Sequence, residues 1–176
     1  MTPEPNFRPR GPLPSGPPER QAPRSPDLYS PRGVAPVHLV ATANAVSGYF
    51  THYTEGRTVP CGGEPARCQW CTCGLGRRWK CYLPAYLPML KLSVLFELTL
   101  GAYTGCPGLA KHAGKLRGKC FSVHRTKHER NAPVVCTMRE KEWSEYLPPP
   151  FDPSFTLARV WGVAVPSVDD AEAVEL

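Results

Sequence analysis

The stretch HYTEGRTVPCGGEPARCQWCTC, residues 52–73, carries the chemistry from which the fold of this chain can be inferred. It combines a histidine and four cysteines with glycines and prolines, and it lacks the apolar residues that a local core needs. Cys68 and Cys71 form a Cys-x-x-Cys pair, which places two thiolates on one tetrahedral metal ion, and Cys61 supplies a third. We therefore expect an irregular loop held together by Zn²⁺.

The fourth ligand is either His52 or Cys73. We favour His52, because it ties the loop to the preceding strand, whereas Cys73 lies too close to Cys71 for both thiolates to bind one ion without strain. A site with four protein ligands has no open position for a substrate, so the Zn²⁺ is expected to be structural. The alternative is that some of these cysteines form disulfides or are unrelated thiols.

Segments with the composition and alternation of β-strands lie on both sides of this loop, at residues 37–41, 46–53, 77–83, 92–98, 116–124 and 133–138. The first two are interpreted as one long strand, so five strands are predicted. Thr99 is a candidate cap for a short helix, and Asp152, Pro153 and Gly162 have the positions of cap, first residue and end of a C-terminal helix. This order is that of an OB-fold. The sequence thus predicts a mainly β protein: a small OB-like five-stranded barrel with a zinc-stapled loop insertion, one short helix between strands 3 and 4 and a short C-terminal helix.

Composition divides the chain into three parts. Residues 1–33 are rich in proline and arginine and poor in large apolar side chains, so we expect a disordered tail. Residues 34–165 contain 16 basic and 8 acidic residues and form the predicted zinc-containing domain. Residues 166–176 hold four acidic residues and no basic ones, which makes them an acidic C-terminal tail. A net charge of +8 in the central part favours a polyanionic partner.

The chain has no apolar run of the length that spans a membrane, and its first residues lack the hydrophobic stretch of a signal peptide. We expect a cytoplasmic protein without a membrane partner. In that reducing compartment, cysteines serve as metal ligands and buried thiols more often than as disulfides.

Cations and aromatic residues are mixed in residues 77–83, where the strand period places Arg78, Lys80 and Tyr82 on one face, and cations recur in the loop after strand 4. Positive charges contact the phosphates of a single strand, and flat rings stack on its bases. Burial in the core is the alternative for each ring, and simple solvation is the alternative for the charged loop. The candidate nucleic-acid-binding residues are Tyr53, Trp70, Arg77, Arg78, Lys80, Tyr82, Lys119, His124, Arg125, Lys127, His128 and Arg130.

Enzyme signatures are missing from the sequence. His124 and His128 lie near Glu129, but the paired carboxylates of two-metal phosphodiester chemistry are not found with them. Neither a phosphate-binding loop nor a nucleophile elbow nor a deaminase motif occurs. We expect a binding protein rather than an enzyme.

The order His52, Cys61, Cys68, Cys71, placed in the loop after strand 1 of an OB-like barrel, resembles the zinc subdomain of the single-stranded DNA-binding proteins of T-even phages. The acidic C-terminal tail is similar as well. In that family an acidic tail recruits replication proteins and competes with DNA for the basic cleft, so the resemblance implies a replication-type partner for residues 166–176. The proline-rich N-terminal tail departs from the basic segment that the family uses for cooperative assembly.

These observations predict a protein that binds single-stranded nucleic acid, DNA in preference to RNA, with low sequence specificity in replication, recombination or repair. The alternative is a zinc-containing interaction or scaffold domain whose proline-rich tail docks on a protein partner.

Overall fold

The computed structural model describes residues 26–129 and 131–163, which form a mainly β structure with short helices. No helix in these ranges is long and apolar enough to cross a membrane. The elements in chain order are β1 (Asp27–Tyr29), β2 (Val37–Ala41), β3 (Ser47–Thr54), β4 (Arg57–Pro60), α1 (Gln69–Thr72), β5 (Arg78–Leu87), β6 (Leu92–Thr99), α2 (Leu100–Thr104), α3 (Pro107–Lys111), β7 (Lys119–Arg125), β8 (Val134–Glu142) and α4 (Pro153–Trp161).

The strands form one open mixed sheet in the order β1-β6-β5-β2-β7-β8, with β3 beside the first half of β5 and β4 beside β3. Only the pair of β1 and β6 is parallel among the ladders of the described residues. The long strand β5 pairs with β6 along its length, and its other edge pairs first with β3 and then with β2. This strand therefore connects the end of the sheet that carries β3 and β4 to the rest.

The expected long first strand is divided into β2 and β3. Thr42 still donates to the carbonyl of Pro84 on β5, but residues 43–46 lie outside the ladders. Asn44 bonds instead to the segment that precedes β7: its carbonyl accepts from the N–H of Leu116 and its side chain from that of Arg117. The prediction of one continuous strand is wrong for these residues.

A closed barrel is not shown. Strands β2–β3, β5, β6, β7 and β8 follow the predicted order, but the ladders of the described residues include no pair between β6 and β8. The outer edge of β6 is occupied by β1, and α2 contacts both β6 and β8. The edges that closure requires are therefore separated, and the sheet remains open.

Strand β1 lies inside the segment predicted to be a disordered tail, so that prediction is wrong for residues 26–33. The ring of Tyr29 packs on Phe96 with centroids 6.3 Å apart, and Leu28 packs on the cluster beneath α4. These two apolar side chains supply the buried surface that orders the segment. Residues 1–25, like the predicted acidic tail at 166–176, lie outside the described residues.

The main core fills one face of the sheet and contains Leu39, Leu83, Phe96, Leu109 and Phe121. On the other face of β5 and β6 a smaller cluster forms where α4 packs, and it contains Tyr82, Leu95, Leu157 and Trp161. Both faces of this part of the sheet are covered. Alternation along β5 therefore does not separate a buried face from an exposed one.

The predicted beginnings of both helices and the end of the C-terminal helix are confirmed, but the one helix predicted between strands 3 and 4 is divided into α2 and α3. Thr99 accepts a hydrogen bond from the N–H of Ala102 at the beginning of α2. Asp152 accepts from the N–H of Ser154 at the beginning of α4, which ends at Gly162 in the left-handed conformation that glycine adopts at little cost. The last two predicted strands are present as the antiparallel pair of β7 and β8, although β8 extends to Glu142.

Candidate functional site

The side chains of His52, Cys61, Cys68 and Cys71 meet at one point, and we call them the metal cluster. Their ligand atoms all lie within 4.8 Å of one another. The Nε2 atom of His52 is 3.5 Å from the Sγ atoms of both Cys68 and Cys71, and the Sγ atoms of Cys61 and Cys71 are 3.7 Å apart. One nitrogen and three sulfurs in this arrangement are compatible with a metal site.

Two short elements assemble the metal cluster. The hairpin of β3 and β4 turns at Glu55 and Gly56, both with positive φ, and returns the chain so that the N–H of Cys61 donates to the carbonyl of Phe50 at 2.8 Å. Cys68 precedes the first turn of α1, and Cys71 lies one turn later on the same side. The three-residue spacing of the Cys-x-x-Cys pair thus directs both thiols toward His52.

Hydrogen bonding and burial make the thiols of the metal cluster electrostatically unequal. The backbone N–H of Gly62 donates to Sγ of Cys68 at 3.5 Å and, with other backbone donors, lowers the pKa of Cys68 to about 6. Burial and the neighbouring sulfurs raise the pKa of Cys71 to about 11. Because only thiolates bind metals, a cation in the cluster would stabilise the deprotonated form of both.

The remaining cysteines fall outside the metal cluster. Cys73 is exposed, so the structure supports His52 as the fourth member of the cluster. Cys81, Cys106 and Cys136 are buried in the main core, as expected of small apolar residues, and Cys120 is half-buried. All eight cysteines lie in the described part of the chain, and none forms a disulfide.

A groove with basic walls lies where β5 begins and β6 ends, and we call it the basic groove. It encloses about 600 Å³, and its cationic lining residues are Arg77, Arg78, Lys80 and Arg125. All four are among the candidate nucleic-acid-binding residues predicted from the sequence. Arg77, Arg78 and Lys80 are neighbours at the beginning of β5, and the fold brings Arg125 of β7 to the same place.

Two of these cations already bond strongly to the protein. Arg125 donates to the carbonyls of Pro31 and Ala132 and to the hydroxyl of Ser30, so it fastens the N-terminal segment to the β7–β8 hairpin. Lys80 donates to the carboxylate of Glu97 at 3.0 Å. Arg77 and Arg78 are exposed, which leaves them better placed to meet a ligand.

Two exposed aromatic rings pair with these arginines. The guanidinium carbon of Arg77 lies 4.0 Å from the ring centroid of Phe50, and that of Arg78 lies 6.0 Å from the centroid of Tyr53. Such contacts hold the guanidinium planes over the rings. Phe50 and Tyr53 are three residues apart on β3, so the two pairs lie on opposite faces of the strand.

Tyr82 does not belong to the nucleic-acid surface, and the prediction for this residue is wrong. Its side chain is fully buried beneath α4, where its ring lies 6.0 Å from that of Trp161, and its hydroxyl donates to Glu97 at 3.4 Å. Alternation correctly placed Tyr82 on the same face as Lys80. The sequence pattern did not show that α4 covers this part of the face.

The other predicted residues are dispersed. Lys119 lies at the opposite end of β7 from Arg125 and forms an ion pair with Glu142, so its assignment to the same surface is not supported. Trp70 is half-buried on α1, and His124 is half-buried with an Nδ1 atom that has no hydrogen-bond partner among the described residues. Lys127 and His128 are exposed in the β7–β8 loop, and Arg130 lies outside the described residues.

Sequence reasoning missed three contributors to this region, which are Ser30, Arg32 and Glu97. Ser30 and Arg125 line both the basic groove and a neighbouring groove of about 570 Å³, to which Arg32 and His128 contribute. Glu97 lines the basic groove itself. The adjacent apolar residues Leu28 and Tyr29, within a proline-rich segment, were the available signal that this region packs on the sheet.

The chain was compared with protein-family models, with curated proteins and with solved structures, and none of the three comparisons found a match.

Proposed function

We propose that this protein binds single-stranded nucleic acid, DNA in preference to RNA, with little dependence on sequence. The basic groove is the observation that carries the proposal, because it gathers four cations around a space of about 600 Å³. Such a concentration of charge attracts phosphates, and the counterions that they release favour binding. The exposed Arg77 and Arg78 are the proposed phosphate contacts.

The pairs of arginine and aromatic ring support binding of unpaired bases. A base stacks on a ring or on a guanidinium plane without regard to its identity, but only where it is not already stacked in a duplex. Phe50 and Tyr53 are both about half exposed, at 45% and 54%. Each ring offers such a surface beside its own arginine and on its own face of β3, so each pair would combine one base contact with one phosphate contact.

We assign Zn²⁺ to the metal cluster, with a structural role. Three cysteines and one histidine form a closed tetrahedral set of the kind that zinc occupies in structural sites. His52 belongs to β3, the strand that also carries Phe50 and Tyr53. The ion would therefore fix the loop at 61–75 against the strand that presents the aromatic rings.

The strand order and the zinc ligands support an OB-like domain similar to that of the T-even phage single-stranded DNA-binding proteins, here with an open sheet. By that resemblance the acidic tail at 166–176 is proposed to contact a replication-type partner. We propose a binding role without catalysis.

A second candidate function is a scaffold domain, favoured by one exposed apolar feature. Met89, Leu90 and Leu92 at the turn between β5 and β6 are 89%, 63% and 52% exposed. Exposed apolar residues in a cluster are typical of protein contacts. This turn lies at the opposite end of β5 from the basic groove, so the two functions would use different surfaces.

Fluorescence anisotropy tests the proposal with the full chain, its metal content verified. A labelled single-stranded DNA, the same sequence as RNA, and its duplex are titrated at two salt concentrations. The proposal requires the DNA single strand to bind most tightly and binding to weaken with salt. Failure of a folded, metal-loaded sample to bind, or an affinity unaffected by salt, contradicts it and favours the scaffold function.

A further inference from the structure

Glu97 is an acidic residue inside the basic groove. It lies on β6 opposite Tyr82 of β5, and its side chain is 18% exposed. A carboxylate at this position repels phosphates, so it is unexpected in a surface that serves only to attract a nucleic-acid backbone. Its ion pair with Lys80 accounts for the charge, and the part of the carboxylate that the protein leaves unpaired suggests a further role.

The carboxylate of Glu97 is held firmly but is not saturated. Lys80 donates to its Oε2 atom at 3.0 Å, and the hydroxyl of Tyr82 donates to the same atom at 3.4 Å. Its Oε1 atom accepts no hydrogen bond from the described residues. Because each carboxylate oxygen has two acceptor positions, Oε1 is available to a donor on a ligand.

The two donors also keep the carboxylate in place. Burial raises the pKa of Tyr82 above its ordinary value, and the neighbouring Glu97 raises it further, so the phenol stays protonated and remains a donor. Lys80 in turn balances the charge of Glu97, and both side chains are mostly buried. The network is therefore a fixed acceptor in the lining of the groove, and Tyr82 acts as a positioning residue.

We infer that Glu97 accepts a hydrogen bond from the exocyclic amino group of a nucleobase, and that the basic groove thereby prefers amino-bearing bases to thymine or uracil. This inference rests on the proposed function. Glutamate pairs with the N4 amino group of cytosine, and unpaired bases expose the edge that carries it. Thymine presents an N–H flanked by two carbonyl oxygens, which a carboxylate repels.

The preference is a single contact added to binding that is otherwise independent of sequence. In the proposed arrangement the phosphates lie near Arg77 and Arg78 at the beginning of β5, and one base lies over the pair of Lys80 and Glu97. Only the base in that position is discriminated, so the effect on a mixed sequence is small, and homopolymers reveal it best.

The test compares labelled oligo-dC and oligo-dT of equal length with the full chain, at a mildly alkaline pH that keeps cytosine tracts unpaired. We expect the wild type to bind oligo-dC roughly fivefold more tightly. In Glu97→Gln the two affinities should become nearly equal, because the amide also donates to thymine oxygens. Glu145→Gln removes the same charge from an exposed residue and should keep the preference.

A second variant, Tyr82→Phe, removes one donor to the carboxylate and keeps the ring, so the preference should shrink without loss of binding. Equal affinities in the wild type, or a preference that survives in folded Glu97→Gln, overturn the inference while the proposed function stands. If Glu97→Gln does not fold, an unchanged preference in Tyr82→Phe overturns it instead. If neither oligonucleotide binds the folded wild type, the proposed function itself has failed.

Discussion

The Nε2 atom of His52 lies 3.5 Å from Sγ of Cys71, a residue 19 positions further along the chain. The contact joins the middle of β3 to α1, and the intervening loop has little apolar packing of its own. Cys68 is its one buried cysteine, and Cys61 and Cys71 are half-buried. We therefore expect the conformation of this loop to depend on a metal ion bound by the four side chains of the metal cluster.

The first prediction concerns the ligands. Purified wild type should contain one equivalent of zinc, and His52→Ala or Cys61→Ser should lose most of it, because three ligands bind a structural ion poorly. Cys73→Ser is the matched control, since Cys73 is exposed and outside the metal cluster. Atomic emission measures the content. Loss of zinc in Cys73→Ser with retention in His52→Ala would reverse the ligand assignment.

The second prediction concerns removal of the metal by a chelator. Hydrogen exchange should accelerate at the amides of Thr72, Cys73 and Leu75, which bond only to carbonyls within the loop. The amides of β5 and β6 should stay protected, because their ladder belongs to the main core. Unchanged protection in the loop would mean that it folds without a metal.

The third prediction tests the cluster beneath α4. Trp161 is 7% exposed and contacts the rings of both Tyr49 and Tyr82. Trp161→Ala should lower the free energy of unfolding by about 3–5 kcal/mol, as expected for a large aromatic residue removed from a core. Val160→Ala on the exposed side of the helix should cost less than about 1 kcal/mol. Denaturant unfolding distinguishes these values, and similar losses in both variants would contradict the packing.

Local signals predicted the members of the metal cluster and the residues that cap the helices. The ligand types at residues 52–73 and the caps Thr99 and Asp152 act on neighbours a few residues away, so their spacing carries the information. The pairing of β1 with β6 depends on contacts between residues far apart in the chain, such as Tyr29 and Phe96. The prolines around Tyr29 obscured it.

The burial of Tyr82 could not be predicted from its own strand. Alternation in residues 77–83 correctly showed which side chains share a face of β5, because the strand period is two. Whether that face meets solvent depends on α4, which lies far along the chain. Sheet closure depends in the same way on a distant element, because the outer edge of β6 pairs with β1 and not with β8.

The fourth prediction concerns Arg125, whose guanidinium group bonds to Ser30, Pro31 and Ala132. Arg125→Lys keeps the charge but cannot reproduce a planar fork of several donors. Hydrogen exchange in residues 27–33 should therefore accelerate in this variant. Lys127→Ala, in the exposed loop nearby, should leave the exchange unchanged. Equal exchange in the two variants would show that the N-terminal segment does not need Arg125.

The central claim is that the cations of the basic groove contact phosphates. Its most direct test is the dependence of single-strand affinity on salt in Arg77→Gln/Arg78→Gln, compared with Lys91→Asn/Lys115→Gln, which removes two charges from exposed lysines outside the groove. Each lost phosphate contact reduces the slope of log K against log salt by about 0.7, so the first pair should reduce it by about 1.4 and the second should leave it unchanged. Equal slopes for both double variants and the wild type would contradict the account.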